Sequence, residues 1–256
     1  MLLLAAACGA SEETGEATPS LRVHVVGSSA AFAHDDGLSG QTPTDISSGV
    51  RSLRLFDDAG GVWTVLERAS PGVSVSYSDA APRPIARIDP ASVRAGHYVK
   101  ARMVQEDSRF TVNARFHDDS LVQPSLGALR IYRVMNDDVP GPQGTYPAGY
   151  FSWQFESKEL SRKGEGVLPV PAYSTTAGAE ALVEDGQWAV YFPLDVTIPA
   201  GAHGELRITA NLFESFRWKD QTAPDDEAGA YDLSQSSAEP VLRFGGNRFD
   251  VTFTAD

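Results

Sequence analysis

The chain has almost no cysteine: Cys8 is the single one among its 256 residues. A lone thiol excludes an intramolecular disulfide and excludes a zinc site built from several thiolates. The chain also lacks an apolar run near the roughly 20 residues that a membrane-spanning helix requires, so its body is predicted not to span a membrane. The histidines are few, at positions 24, 34, 97, 117 and 203, and no two are close enough in sequence for a metal-binding helix motif.

Motifs for nucleophilic and nucleotide chemistry are absent as well. The sequence contains no G-x-S-x-G elbow, no S-x-x-K pair and no P-loop. We therefore predict that the protein is not an enzyme. The alternative that stays open is a hydrolase with a dispersed site, because a catalytic triad is defined by geometry and can be assembled from distant positions.

Positive charge is scarce, since the chain has 21 basic and 34 acidic residues and a formal net charge of −13. Such a surface repels phosphate backbones, which excludes nucleic acid as the expected partner. Hydrophobic residues nevertheless make up 42% of the chain, so it can bury a substantial core.

The amino terminus reads MLLLAAACGA, an apolar run followed by small residues and then Cys8. This arrangement resembles the lipobox of bacterial lipoprotein signal peptides, in which cleavage precedes the cysteine that carries the lipid. The resemblance implies lipidation of Cys8, with residues 1–7 as a signal-peptide remnant and the membrane as the partner of the anchor.

A polar segment follows Cys8 and reads SEETGEATPS over residues 11–20. Its small, acidic composition is typical of a flexible tether, so residues 8–20 are predicted to link the lipid to the body. In the lipoprotein family, a residue other than aspartate after the cysteine favours the outer membrane, and here that residue is Gly9. We expect a secreted protein anchored in the cell envelope, with the periplasmic and surface sides both open.

The body alternates apolar and polar residues with a period of two, as in 109–116, 205–212 and 249–254. Side chains alternate between the faces of a strand, so each run has one buried face. The segments 50–56 and 62–67 are predicted to form a hairpin, and 177–184 is the one candidate for a helical turn. We predict an all-β protein, an antiparallel β-sandwich.

Two sandwich domains, 21–119 and 120–256, are expected because the turn at residues 118–120 interrupts the strand pattern; one continuous sandwich with long loops is the alternative. The segment 89–98 resembles the loop-to-strand entry of prealbumin-like and immunoglobulin-like modules in secreted bacterial proteins. Segments such as 156–186 and 219–238 are predicted to be long loops, and binding sites are often found in loops on a rigid scaffold.

The loop 220–232 concentrates carboxylates, and Ca²⁺ prefers six to eight oxygen ligands. The candidate metal ligands are Asp220, Asp225, Asp226, Glu227 and Asp232. The competing interpretation is that these residues only form turns on an acidic surface, because Asp side chains bond nearby backbone N–H groups.

Trp218 and Tyr231 flank the acidic loop and are the candidate ligand-binding aromatics. If exposed, they would stack on a sugar; if buried, Trp218 would close the end of the sandwich. We expect a lipid-anchored envelope protein with a non-catalytic binding or structural role, and no cofactor or, alternatively, a structural Ca²⁺. The main functional alternative is a calcium-dependent carbohydrate-binding module, and the specific protein or glycan partner stays open.

Overall fold

The computed structural model describes residues 20–141, 144–170, 172–221 and 226–256. Within these ranges the chain is mostly β-strand, and its one helical element is the short 3-10 turn Pro90–Ser92. No helix in this part of the chain is long and apolar enough to cross a membrane. The predicted all-β, sandwich-like class is confirmed. Cys8 and its predicted lipid, the remnant 1–7 and nearly all of the tether 8–20 lie outside the described residues.

Twenty strands follow one another along the described chain. Their bounds are β1 Leu21–Ser28, β2 Ser39–Gln41, β3 Thr44–Asp57, β4 Val62–Glu67, β5 Val73–Ser76, β6 Ala86–Ile88, β7 Gly96–His117, β8 Ser125–Val134, β9 Val139–Gly141, β10 Gly144–Tyr146, β11 Tyr150–Glu156, β12 Ser161–Val167, β13 Tyr173–Ser174, β14 Glu180–Glu184, β15 Gln187–Ile198, β16 Gly204–Asn211, β17 Phe216–Trp218, β18 Asp232–Ser234, β19 Val241–Phe244 and β20 Phe249–Ala255.

Two sheets make up most of the body. The smaller sheet has the order β20-β16-β1-β6, and its central pair β1–β16 is parallel. The larger sheet has eleven strands and includes the run β12-β11-β8-β7-β15-β14-β13, with β3 hydrogen-bonded to β7 as well. A third, small sheet of order β19-β17-β2 packs the ring of Phe216 on that of Phe110 in β7.

Strand β7 is 22 residues long and continues well beyond the amino-terminal end of the predicted run 109–116. Its middle carries the buried residues Glu106 and Asp107. Glu106 is an extra residue in the ladder with β3, because Gly49 pairs with Asp107 whereas Val50 pairs with Gln105. The bulge turns the Glu106 carboxylate toward Arg51, whose Nε donates to it at 2.8 Å. The polar residues interrupt the apolar pattern without ending the strand.

The two predicted domains, 21–119 and 120–256, share their sheets across residue 120. Strand β1 pairs with β16, and β7 pairs with both β8 and β15. One buried apolar cluster contains Val23 and Leu53 together with Ile208 and Phe249. The predicted division into two sandwich domains is therefore corrected, because the described residues build one core that continues across residue 120. The narrower resemblance to prealbumin-like and immunoglobulin-like modules stays a prediction.

Two local predictions were wrong. The candidate helical turn 177–184 contains strand β14, which pairs with β15 around the two-residue turn Asp185-Gly186. Both turn residues have positive φ, 50° and 74°, as a tight hairpin with the right-handed twist of its strands requires. The predicted loop 156–186 also contains β12, which pairs with β11 along its full length.

Candidate functional site

Trp218 and Tyr231, the predicted ligand-binding aromatics, are both buried in the core. Trp218 has no exposed surface, and Tyr231 is 5% exposed. Their rings meet edge to face with centroids 5.6 Å apart, and both contact Phe216. Neither ring can stack on a sugar, so the ligand-binding role is corrected for both residues, and Trp218 takes the core position that was the other expectation.

The predicted metal ligands do not converge on one point. The Asp220 carboxylate accepts hydrogen bonds from Ser39 Oγ at 2.8 Å and from Gly229 N at 2.6 Å. Glu227 lies against Arg115 instead, with 3.5 Å between Oε2 and Nε. Asp225 lies outside the described residues. Asp220 and Glu227 therefore have protein partners of their own, as turn and ion-pair residues do.

Asp226 and Asp232 do come together, beside His117, which the sequence had not singled out as a ligand. His117 Nε2 is 2.7 Å from an Asp232 oxygen and 3.8 Å from an Asp226 oxygen. One nitrogen and two oxygens within 4.8 Å of one another suit Zn²⁺ better than Ca²⁺, which takes more oxygens. However, Arg115 Nη1 lies 3.2 Å from Asp232, so a guanidinium already neutralises one of the carboxylates.

An apolar cavity of about 670 Å³ lies on the inner face of β7, β8 and β11. Cross-strand pairing places Phe110, Ile131 and Trp153 side by side on this face. Leu129 and Phe151 extend the same wall, since residues two apart on a strand share a face. The period-two pattern of three neighbouring strands thus builds one continuous apolar wall.

The opposite wall comes from the carboxyl-terminal part of the chain. It contains Phe216 and Phe244 of the small sheet, together with Tyr231 and the segment 233–241. The Phe110 and Phe244 rings stack across the gap with centroids 3.8 Å apart, which closes one end. The rim includes Leu168 and Val241, which are 51% and 40% exposed, so apolar surface continues from the cavity to the solvent.

The position of Trp153 in this wall depends on Gly164 in the edge strand β12. The two residues are cross-strand partners, and the indole lies over the glycine. A Cβ on Gly164 would come within 2.7 Å of the indole Nε1 and Cε2 atoms. Glycine therefore makes room for the ring, and the ring in turn covers an edge strand that would otherwise be poorly protected.

Arg133 is the one basic side chain on the cavity face of β8, where it pairs across the strands with Phe151. Its Nη2 donates to the Pro169 carbonyl, whereas its Nε is buried without a hydrogen-bond partner. Burial lowers the pKa of Arg133 from its ordinary value. Burial is the sole cause of this shift, and among the described residues Arg133 forms no salt bridge, so the guanidinium has no carboxylate counter-charge there.

The other face of the same strands is open and polar. Arg130 and Tyr132 project from β8 on this side, and the guanidinium of Arg109 lies 4.8 Å from the centre of the Tyr132 ring. Arg130 is exposed and, within the described ranges, forms no salt bridge. Arg130 and Arg133 therefore provide a matched pair: two arginines on one strand, one facing water and one facing the cavity.

Sequence reasoning missed the cavity and Arg133, although one signal was present. In the run Leu129-Arg130-Ile131-Tyr132-Arg133, the period-two pattern assigns position 133 to the apolar face. A charged residue at an apolar position of a strand is a candidate for a buried functional group.

Comparisons with protein-family models, with curated proteins and with solved structures give no significant match to this chain.

Proposed function

We propose that this chain is a lipid-anchored protein of the bacterial cell envelope with a non-catalytic binding role, and that its ligand is held in the cavity between β8 and the segment 233–241. The observation that carries the binding role is the cavity itself. Its volume of about 670 Å³ falls within the range of about 300–1,000 Å³ that is usual for small-molecule sites. Its lining is mainly aromatic and aliphatic with few polar groups, as such sites usually are.

The polar groups of the lining favour binding over hydrolysis. Glu239 is the carboxylate among them, and its two oxygens accept hydrogen bonds from the backbone N–H groups of Gln221 and Asp232. The serines of 234–237 line the cavity too, but no histidine is among the lining residues that the structure describes. A serine without a base is a weak nucleophile, so this lining supports a binding site.

The binding role is tested with a neutral fluorescent probe, N-phenyl-1-naphthylamine, whose emission rises in an apolar site. We expect the wild-type protein to enhance the emission saturably and Ile131→Trp to abolish the enhancement, because the larger side chain fills the cavity. Val122→Trp is the matched control, since Val122 is 97% exposed and lies outside the lining. An absence of enhancement, or an Ile131→Trp variant that binds like wild type, would refute the proposal.

The anchor is supported by the lipobox-like sequence ending at Cys8 and by the polar tether after it. A lipid on Cys8 would hold the body at a membrane without a spanning segment. The test is the intact mass of protein from bacterial membranes, beside Cys8→Ala. We expect a diacyl or triacyl mass that disappears in the variant together with membrane association. An unmodified, soluble wild-type protein would remove the anchor and leave the cavity to be tested alone.

A structural cation is the second candidate, favoured by the convergence of His117, Asp226 and Asp232. A cation held there would raise the thermal midpoint of the wild-type protein, and His117→Ala would remove that increase. Zn²⁺, Ca²⁺ and EDTA are compared for this purpose. If none of them changes the midpoint, the three residues act with Arg115 as an ion-pair network. A calcium-dependent carbohydrate-binding module is not proposed, because it required an exposed Trp218 or Tyr231 and both rings are buried.

A further inference from the structure

Resting on the proposed binding role of the cavity, we infer that its ligand is a single-chain amphiphile with a carboxylate head, a long-chain fatty acid, whose carboxylate pairs with Arg133. The cavity is apolar over most of its wall and has two arginines in its lining. Arg243 has the Asp36 carboxylate at 3.8 Å, whereas Arg133 has no carboxylate partner among the described residues. An acyl chain matches the first property and a carboxylate matches the second. The ligand class follows from the combination.

The guanidinium of Arg133 carries a positive charge that no carboxylate of the described residues neutralises. A guanidinium that is withdrawn from water loses solvation, and proteins keep buried charges only when they are paired or hydrogen-bonded. The Arg133 side chain is partly withdrawn from water, and its Nε–H group is buried without a hydrogen-bond acceptor. A carboxylate oxygen at this position would satisfy the Nε–H group and supply the missing negative charge.

Other shielded arginines of this chain are neutralised by a carboxylate of the same chain. Arg217, Arg51 and Arg115 have side chains that are 3%, 14% and 13% exposed, and each forms a salt bridge with an aspartate or glutamate. The chain has 34 acidic residues from which such a partner could come. That Arg133 is left without one, in a chain so rich in carboxylates, indicates that its partner is supplied from outside.

The position of Arg133 orients the ligand. Its Nη2 donates to the carbonyl of Pro169, which is exposed next to the rim residue Leu168. Ile131, two residues away on the same face, and Phe151, its cross-strand partner, lead into the apolar part of the cavity. A carboxylate at Arg133 therefore lies near the mouth, and an attached acyl chain extends inward along the wall of β8 and β11.

The experiment compares cis-parinaric acid, a fluorescent long-chain fatty acid, with its methyl ester, which has the same chain and no charge. We expect the wild-type protein to bind the acid at least about tenfold more tightly than the ester, which is the effect of one hydrogen-bonded charge. In Arg133→Met this preference is lost while ester binding is retained, and Arg133→Lys restores part of it. Arg130→Met, the matched control on the opposite face of β8, keeps the preference.

The outcomes separate the two proposals. Equal binding of acid and ester by the wild-type protein leaves the apolar cavity intact and overturns the carboxylate inference. A preference that Arg130→Met reduces as much as Arg133→Met also overturns it, because the effect is then one of general charge. Binding of neither the acid nor the ester overturns the fatty-acid inference, and if N-phenyl-1-naphthylamine also fails to bind, the cavity itself is refuted as a ligand site. The ester and N-phenyl-1-naphthylamine also report whether Arg133→Met remains folded and competent to bind.

Discussion

Replacing Asp36 by alanine removes the carboxylate that neutralises Arg217, one of the most deeply buried charges among the described residues. Arg217 is 3% exposed at its side chain, and its Nε and Nη2 both donate to Asp36, which is 24% exposed. Asp36 Oδ1 also accepts from Leu38 N at 3.1 Å. Arg243 lies 3.8 Å from the same carboxylate. Asp36 thus fixes the segment before β2 to the small sheet.

The magnitude follows from what Arg217 keeps after the substitution. Removing one partner of a fully buried pair costs about 3–5 kcal/mol. Here Arg217 retains the Leu38 carbonyl at 2.6 Å and Glu214 at 3.2 Å, which offset part of the loss. We therefore expect Asp36→Ala to lower the free energy of unfolding by about 2–3 kcal/mol. Adding Arg217→Met should recover part of this, because the unpaired charge is then gone.

Urea unfolding of the two single variants and the double variant measures the coupling. The control is Asp256→Ala, which breaks the salt bridge to Arg22, where the side chains are 31% and 47% exposed. An exposed pair contributes no more than about 1 kcal/mol, so this variant should differ little from wild type. If Asp36→Ala costs no more than Asp256→Ala, or if the Asp36 and Arg217 effects simply add, the reasoning is refuted.

The same carboxylate predicts a pH dependence. Burial alone would raise the pKa of Asp36, but hydrogen bonds from Arg217 and Leu38 N–H outweigh it and hold the pKa below the ordinary 3.8. A folded-state pKa below the unfolded one stabilises the protein above the unfolded value, and this contribution is lost as the pH falls through the folded value. The stability difference between wild type and Asp36→Ala should therefore be constant above pH 3.8 and shrink below it.

Three further predictions concern single residues. Arg133→Met should raise the free energy of unfolding of the unliganded protein by about 1 kcal/mol, since it removes a desolvated charge that has no partner; a clear loss in urea unfolding would contradict this. Gly164→Val should lower it by about 1–3 kcal/mol, because the new side chain meets the Trp153 ring, and an unchanged tryptophan emission spectrum would speak against that contact. The pKa of His97 is raised, chiefly by its hydrogen bond to Asp195, so its contribution to stability is complete below pH 6.5 and is lost as the pH rises through the folded value. An NMR titration of the imidazole that gives a value at or below 6.5 would exclude this.

Strands that alternate cleanly could be predicted from the sequence, because burial of one face imposes a period of two. The runs 205–212 and 249–254 are β16 and β20 to within one residue at each end. The continuity of β7 could not be predicted in this way. Glu106 and Asp107 are buried polar residues whose partners, among them Arg51 and Gly49, lie more than fifty residues away in sequence. A local pattern contains no information about such partners.

The candidate site shows the same limit. Trp218 is adjacent to an acidic loop, and its position in the sequence allowed both an exposed ring and a core ring, until the packing of Phe216 and Tyr231 around it placed it in the core. The cavity requires a wall from 110–153 and another from 216–244, so it exists only once distant segments have met. Of the cavity, the sequence indicated Arg133 alone, because its charge stands at an apolar position in the alternating pattern of β8.

The parallel pairing of β1 with β16 sets the order in which the chain can become protected. Strand β1 is the first described strand, and it is completed by hydrogen bonds to residues 204–211. During synthesis, β1 therefore emerges long before residues 204–211, and its buried residues Leu21, Val23 and Val25 stay accessible in the meantime. Such late, non-local pairing slows folding and leaves an edge open to association with other chains. The pairing of residues 204–211 thus controls when residues 21–28 are protected from association, and a chaperone that shields residues 21–28 would cover a strand that is exposed early.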